Sequence, residues 1–271
     1  VPQHAFITGS RTGSSRVTGK NLPDFAWNRT DNLFPFITRD NPQPGKSMLD
    51  IAILASGNGG NAQRIFELAA AGVLDVNIRL VLCNRPGARV IQRARDAGLS
   101  LLCLDHTTFP DRESFDREMI RAIRAAGADT IVLAGYMRLL TKAFLHAFPD
   151  RIINIHPALL PSFPGTRGID DAVAYGVRLT GCTVHFVDEI MDHGAVIAQA
   201  AVPHLPGESS ADLLERVHAA EHRIYPQVLQ WWSKGRLAVS GRHVRVLPAP
   251  GVRLAAPPQN ALFNPPLEEG F

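Results

Sequence analysis

Cysteine, aromatic residues, long apolar runs and surplus charge are all scarce in this sequence. Cys83, Cys103 and Cys182 are its three cysteines. An odd, scattered set provides neither a disulfide framework nor a CxxC metal pair, and it fits a reducing, cytoplasmic setting. No stretch approaches the roughly 18 uninterrupted apolar residues of a membrane-spanning helix, so no membrane partner is expected. No His/Cys set has zinc-site spacing, so no metal is expected. The basic surplus is small, 28 Lys/Arg against 25 Asp/Glu, and all of it falls within residues 1–47. The remainder is balanced, which argues against a basic nucleic-acid face.

What is present is a chain of 271 residues with an ordinary 45% hydrophobic content, enough for one large domain or two small ones. Residues 1–47 are rich in Ser, Thr, Gly, Asn, Pro and Arg and have no apolar period. They read as a disordered extension, unable to bury enough surface to offset ordering entropy. Met48 stands directly before the first strand pattern, which raises an upstream start choice as the origin of the extension. A transit peptide is the weaker option, because the acid-free, Ser/Thr-rich start shows no amphipathic face.

From Asp50 the texture changes. Ile51–Ala55, Ile78–Cys83, Leu101–Leu104 and Thr130–Ala134 are short apolar runs that read as strands. Helical stretches separate them: one to about Ala71, then Ala88–Ala97 and Asp111–Ala126. Gly72, Gly98 and Gly127 stand where these helices should stop. Alternation of this kind predicts an α/β fold, an open, mostly parallel Rossmann-like twisted sheet with helices on both faces. Beyond Asp150 come strand Ile152–Ile155, a proline-punctuated loop, a helix near Asp170–Tyr175, and strands Thr183–Val187 and Val196–Val202. A long helix, Ser210–Lys234, follows; Ser209 and Asp212 resemble a capping box, and Pro226 should bend it. The division predicted is a catalytic domain over 48–247 and a loose Pro-rich tail over 248–271.

Two segments carry chemistry. Ser56-Gly57-Asn58-Gly59-Gly60-Asn61 opens the first helix, and its glycines read as a phosphate cradle at a helix N-terminus rather than a tight turn alone. Gly57, Gly59 and Ala62 also satisfy GxGxxA. That dinucleotide reading needs an acid at the end of the second strand, where Cys83-Asn84-Arg85 stand instead; NADP is the form Arg85 would allow. The second segment, Asn154-Ile155-His156-Pro157, ends a strand, and strand alternation puts Asn154 and His156 on one side. An amide donor beside an imidazole can stabilise an oxyanion and move a proton. Asp192, in the turn between the last two predicted strands, could hold that imidazole or be an exposed turn acid; spacing leaves both open.

These residues resemble the phosphoribosylglycinamide formyltransferases, the folate-dependent formyl-transfer enzymes of purine synthesis. The likeness runs from about Asp50 to Gly235. It rests on ILASGNGGN at 53–61, AGYMRLL at 134–140, NIHPALLPSFPG at 154–165, GCTVHFVDEIMDHG at 181–194 and AEHRIYP at 220–226. The resemblance implies Asn154, His156 and Asp192 as catalytic residues. It implies ribonucleotide contacts from Gly59, Gly60, Asn61 and Glu221, and contacts to 10-formyltetrahydrofolate, the co-substrate, from Arg112, Met137, Arg138, Leu139, Leu140, Asn154 and Asp188. His185 matches a nearby polar residue of the family. Gly60 stands where the family commonly has Ser, and Thr166–Ile169 follow no family pattern. Arg112 and Glu221 could also be solvated helix residues, and Met137 core packing. The implied partners are small molecules, with monomer and homodimer both open. A formyltetrahydrofolate hydrolase is the alternative enzyme, sharing the three catalytic residues but accepting water. A phosphosugar-binding module is the non-enzymatic one, and leaves the Asn154–His156 pair unexplained.

Overall fold

The computed structural model describes residues 48–271; the extension predicted over 1–47 lies outside the described residues. The described chain begins β1 (Leu49–Ala55), α1 (Gly60–Ala70), β2 (Val76–Cys83), α2 (Arg89–Asp96), β3 (Leu101–Cys103), α3 (Arg112–Ala125) and β4 (Thr130–Leu133). It continues with α4 (Lys142–Ala147), β5 (Ile152–His156), α5 (Gly168–Tyr175), β6 (Leu179–Phe186), β7 (Val196–Pro203) and α6 (Ser210–Ser233). The hairpin β8 (Leu237–Ser240) and β9 (His243–Val246) and the strand β10 (Leu262–Asn264) complete it.

The main sheet has the order β10-β7-β6-β5-β4-β1-β2-β3. Strands β3, β2, β1, β4 and β5 run parallel, as the alternating pattern predicted. From β5 onward the pairing turns antiparallel, through β6 and β7 to β10. β1 is apolar at nearly every position and fully buried, the signature of a strand covered on both faces. One face is closed by α1, α2 and α6, through Ile65, Val90, Val217, Ile224 and Trp231 against Ile51, Ile53, Val81 and Ile153. The other is closed by α3 and α4, through Phe115, Met119, Phe144 and Phe148 against Ala52, Leu54, Leu82 and Ile131.

Local signals act as read. Gly72, Gly98 and Gly127 take φ of 70°, 66° and 77°, the left-handed region that ends a helix. Ser209 caps α6 by accepting from the Asp212 amide at 3.2 Å, while its hydroxyl donates to the Asp212 carboxylate at 2.7 Å. α6 continues through Pro226 as one element.

The expectation of a loose tail is corrected. β10 pairs antiparallel with β7, and Phe263 and Leu267 are buried. Glu268 accepts from the Trp231 indole at 3.0 Å and pairs with Arg236 at 2.8 Å, and the Phe271 carbonyl accepts from Arg223 at 2.9 Å. Prolines deprive the segment of a local repeat, but long-range bonds to α6 hold it.

Candidate active site

Asn154 and His156 alternate on β5 toward the face that carries α3 and α4. Their register partners across the antiparallel pairing are His185 and Thr183 on β6. The intervening Ile153, Ile155, Val184 and Phe186 point into the opposite core. One patch of the α3–α4 face thus gathers Asn154, His156, Thr183 and His185. Thr183 is structural: its hydroxyl donates to the Ala158 carbonyl at 2.7 Å and accepts from the Leu160 amide at 3.0 Å, fixing the loop after β5.

The turn between β6 and β7 folds back over this patch and delivers Asp192. One carboxylate oxygen lies 3.6 Å from His156 Nδ1 and accepts from the Gly165 amide at 2.8 Å; the other lies 3.9 Å from His185 Nε2. Asp192 has φ of 54°, a conformation that a short polar side chain tolerates. Gly194 is required two residues on, since a Cβ there would overlap the Phe186 carbonyl. The carboxylate whose reach was open in the sequence therefore stands between two imidazoles. His156 Nε2 donates to the Phe163 carbonyl at 2.8 Å, so both its ring nitrogens face acceptors.

Asn154 Nδ2 lies 3.3 Å from His185 Nε2, and His185 Nδ1 lies 2.8 Å from the Phe186 carbonyl. Burial holds the His185 imidazole below its ordinary basicity, against the opposing pull of that carbonyl and of Asp192. The sequence offered only a weak signal for His185: a histidine in a buried strand reads as core until the register with β5 is known.

The glycine loop lies at the carboxyl end of β1. Gly59 has φ of 74°, and a Cβ there would come within 2.6 Å of Val90, so its glycine is explained by backbone and by packing on α2. α1 has no side-chain cap and no acid in its first turn, which leaves its dipole uncompensated. At Gly60 a Cβ would sit 3.1 Å from His222 Nε2. His222, which the sequence reading passed over, thus faces the loop, stacked with His218 at a centroid distance of 6.4 Å. Burial lowers the basicity of both rings, and His218, Arg64 and Arg93 push His222 further down. Asn84, where a dinucleotide fold needs an acid, is buried and engaged: its carbonyl oxygen accepts from Ser56 at 2.6 Å and its amide lies 3.3 Å from His106. That leaves the GxGxxA match without a ribose ligand.

Glu221 is 3% exposed and accepts from Asn61 Nδ2 at 2.8 Å, while Asn61 Oδ1 is buried without a partner. Burial pushes the Glu221 carboxyl up to about 7. An unfolded glutamate is ionised well below that, so between about pH 4.5 and 7 the folded chain holds the extra proton and stability falls as pH rises. The loss should approach about 3 kcal/mol across the window, at about 1.4 kcal/mol per pH unit. Urea unfolding at pH 5 and pH 8 checks this. Glu221→Gln should flatten the dependence, and an unchanged slope would contradict it.

The remaining predicted residues stand on the segment after β4, at the start of α3 and in the turn between β6 and β7. Ser56 Oγ accepts from the Met137 amide at 2.8 Å, tying the glycine loop to the segment after β4. Met137 and Leu139 are 54% and 56% exposed, so neither is core, whereas Leu140 packs beside α3 and α4. Arg138 lies 5.1 Å over the Phe115 ring. Arg112 opens α3, one turn before the buried Asp116, which feels both Arg112 and Arg138 and accepts from the Thr141 amide at 2.7 Å. Asp188 accepts from the Ile190 amide at 2.9 Å, and Glu189 reaches Lys142 on α4 at 2.7 Å. Two exposed apolar side chains, Met137 and Leu139, thus share the segment after β4 with Arg138, which lies over a side chain of α3. Among the described residues no cluster suited to a metal ion and no helix long and apolar enough to cross a membrane occurs.

Residues 49–229 match the formyl transferase family. The chain is 41% identical over 189 residues to a phosphoribosylglycinamide formyltransferase of Escherichia coli, covering 70% of this chain and 89% of that one. It is 36% identical over 241 residues to a trifunctional purine biosynthetic protein, adenosine-3, of Drosophila melanogaster. There the match takes in 88% of this chain but only 17% of the relative's length. A solved glycinamide ribonucleotide transformylase from Symbiobacterium toebii superposes with a TM-score of 0.73 at 44% identity, covering 74% of this chain and 95% of that one.

Proposed function

The chain belongs to the formyl transferase family, and from that membership we propose that it moves the formyl group of 10-formyltetrahydrofolate to the glycyl amine of phosphoribosylglycinamide, a step of purine biosynthesis. The observation that carries this reading is the Asp192 carboxylate standing 3.6 Å from His156 and 3.9 Å from His185, with Asn154 bonded to His185 beside it. The family relatives named phosphoribosylglycinamide formyltransferase support formyl transfer to that acceptor. We assign the catalytic unit to residues 48–247, with 248–271 bound along α6, and a cytoplasmic setting in keeping with three free cysteines.

The chemistry needs a neutral amine to attack the formyl carbon. A carbon–nitrogen bond forms, negative charge grows on the formyl oxygen, and the bond to the folate nitrogen then breaks. Asn154 supplies an amide hydrogen to that oxygen, the position where a preorganised donor counts most. His156, once its Nε2 exchanges the Phe163 carbonyl for substrate, supplies a second hydrogen, and Asp192 stabilises the imidazolium. The proton lost by the amine ends on the folate nitrogen, so no net proton is consumed. Gly59, Gly60 and Asn61 offer backbone amides to the ribonucleotide phosphate at the start of α1, with His222 and His218 behind them and Glu221 toward the ribose. Arg112, Arg138 and the exposed Met137, Leu139 and Asp188 hold the folate.

The test is turnover of 10-formyltetrahydrofolate with and without phosphoribosylglycinamide. Folate product should form only when the ribonucleotide is present. Equal rates without it would replace the transferase reading with that of a hydrolase.

A further inference from the structure

We propose that His185 is a positioning residue that fixes which end of the Asn154 amide faces the reacting group. The inference rests on the transferase reading above and adds a member to its site. The two ends of an asparagine amide are nearly the same size, so packing alone does not choose between them; only the hydrogen-bond partners do.

Those partners form a chain with one direction. The Phe186 carbonyl can only accept, so His185 Nδ1, 2.8 Å away, must carry a hydrogen. The ring is 1% exposed, and burial opposes a second proton. Asp192, His156 and Asp188 are the titratable groups that act on it, and of these Asp192 is 3.9 Å from Nε2, beyond a direct hydrogen bond. Nε2 therefore presents a lone pair. Against it, at 3.3 Å, must stand the Asn154 NH2 group, because the amide oxygen would meet lone pair with lone pair. With one N–H committed to His185, the other N–H of the same nitrogen is aimed outward as a donor, and the amide oxygen is turned away. A flipped Asn154 would present its oxygen to the developing oxyanion and oppose the reaction. The register Asn154↔His185 across β5 and β6 fixes this pairing in the rigid part of the sheet.

The test is a double-mutant cycle on the full chain. His185→Phe keeps a planar ring, somewhat larger than imidazole, but removes the acceptor. It should lower kcat by about 10- to 100-fold, the scale of a misaimed catalytic group, with KM for both substrates within about twofold. In an Asn154→Ala background the same substitution should have almost no further effect. An equal loss in both backgrounds, or a rise in KM with kcat preserved, overturns the proposal. Because His185→Phe could disturb folding, a second measurement uses the unaltered protein: long-range nitrogen NMR of His185 should show Nδ1 protonated and Nε2 bare at neutral pH. A protonated Nε2 overturns the proposal independently of any assay. Failure of the parent chain to transfer formyl groups would instead defeat the functional reading, leaving the NMR result to decide the amide orientation.

Discussion

His156→Ala is expected to lower kcat by roughly 10²–10⁴-fold, the usual consequence of deleting a positioned acid–base group. The imidazole is almost wholly enclosed, between the Phe163 carbonyl at 2.8 Å and Asp192 at 3.6 Å. Removing it takes the donor from the part-buried Phe163 carbonyl, at up to about 1–3 kcal/mol of stability. Rates must therefore be taken on protein shown to be folded by circular dichroism, at temperatures well below the variant's own unfolding midpoint. Two further results would tie the loss to chemistry rather than to packing. KM for both substrates should stay near the parent's, and added imidazole should restore part of the rate by occupying the vacated space. Asn154→Ala should fall by about 10²–10³, as befits one oxyanion donor. Near-parental turnover in folded His156→Ala would remove the residue from the mechanism.

Asp192→Asn is expected to cost on the order of 10²-fold or more in kcat, since an orienting carboxylate beside a catalytic imidazole commonly matters that much. The substitution is a clean one here. Asparagine tolerates the φ of 54° at this position at least as well as aspartate, and its amide oxygen can still accept from Gly165. Backbone and loop shape are thereby kept while the charge between His156 and His185 is lost. The split between kinetic constants then separates two roles. A fall in kcat with KM for the folate unchanged means that the charge stabilises the imidazolium. A rise in that KM with kcat preserved means that Asp192 serves only to shape the 188–192 loop. Gly194→Ala provides the contrast, because its Cβ would overlap the Phe186 carbonyl and displace the whole turn, so both constants should suffer.

The glycine loop and the segment after β4 are also tied together directly. Ser56 opens the glycine loop, donates to Asn84 at 2.6 Å and accepts from the Met137 amide at 2.8 Å. One hydroxyl thus joins the first segment expected to meet the ribonucleotide to the first segment expected to meet the folate. It lies at the carboxyl ends of β1 and β4, where neighbouring parallel strands bring their following loops together.

Sequence alone determined what local chemistry can determine. Apolar runs such as Ile51–Ala55 must be strands buried on both faces, glycines at 72, 98 and 127 must end helices, and alternation must set Asn154 and His156 on one side. The resemblance added the site residues that are proposed here. Short elements escaped: α4 has six residues, and β10 has three with only Phe263 buried. Neither has enough local pattern to be seen, and both exist because of what they pack on. The tertiary structure alone decided that Asp192 reaches His156, that His185 faces Asn154, and that His222 faces Gly60. Each of these pairs is joined by register, by turn geometry or by helix packing across tens of residues. Periodicity tells which side of its own element a residue takes, but never which residue of another element it meets there.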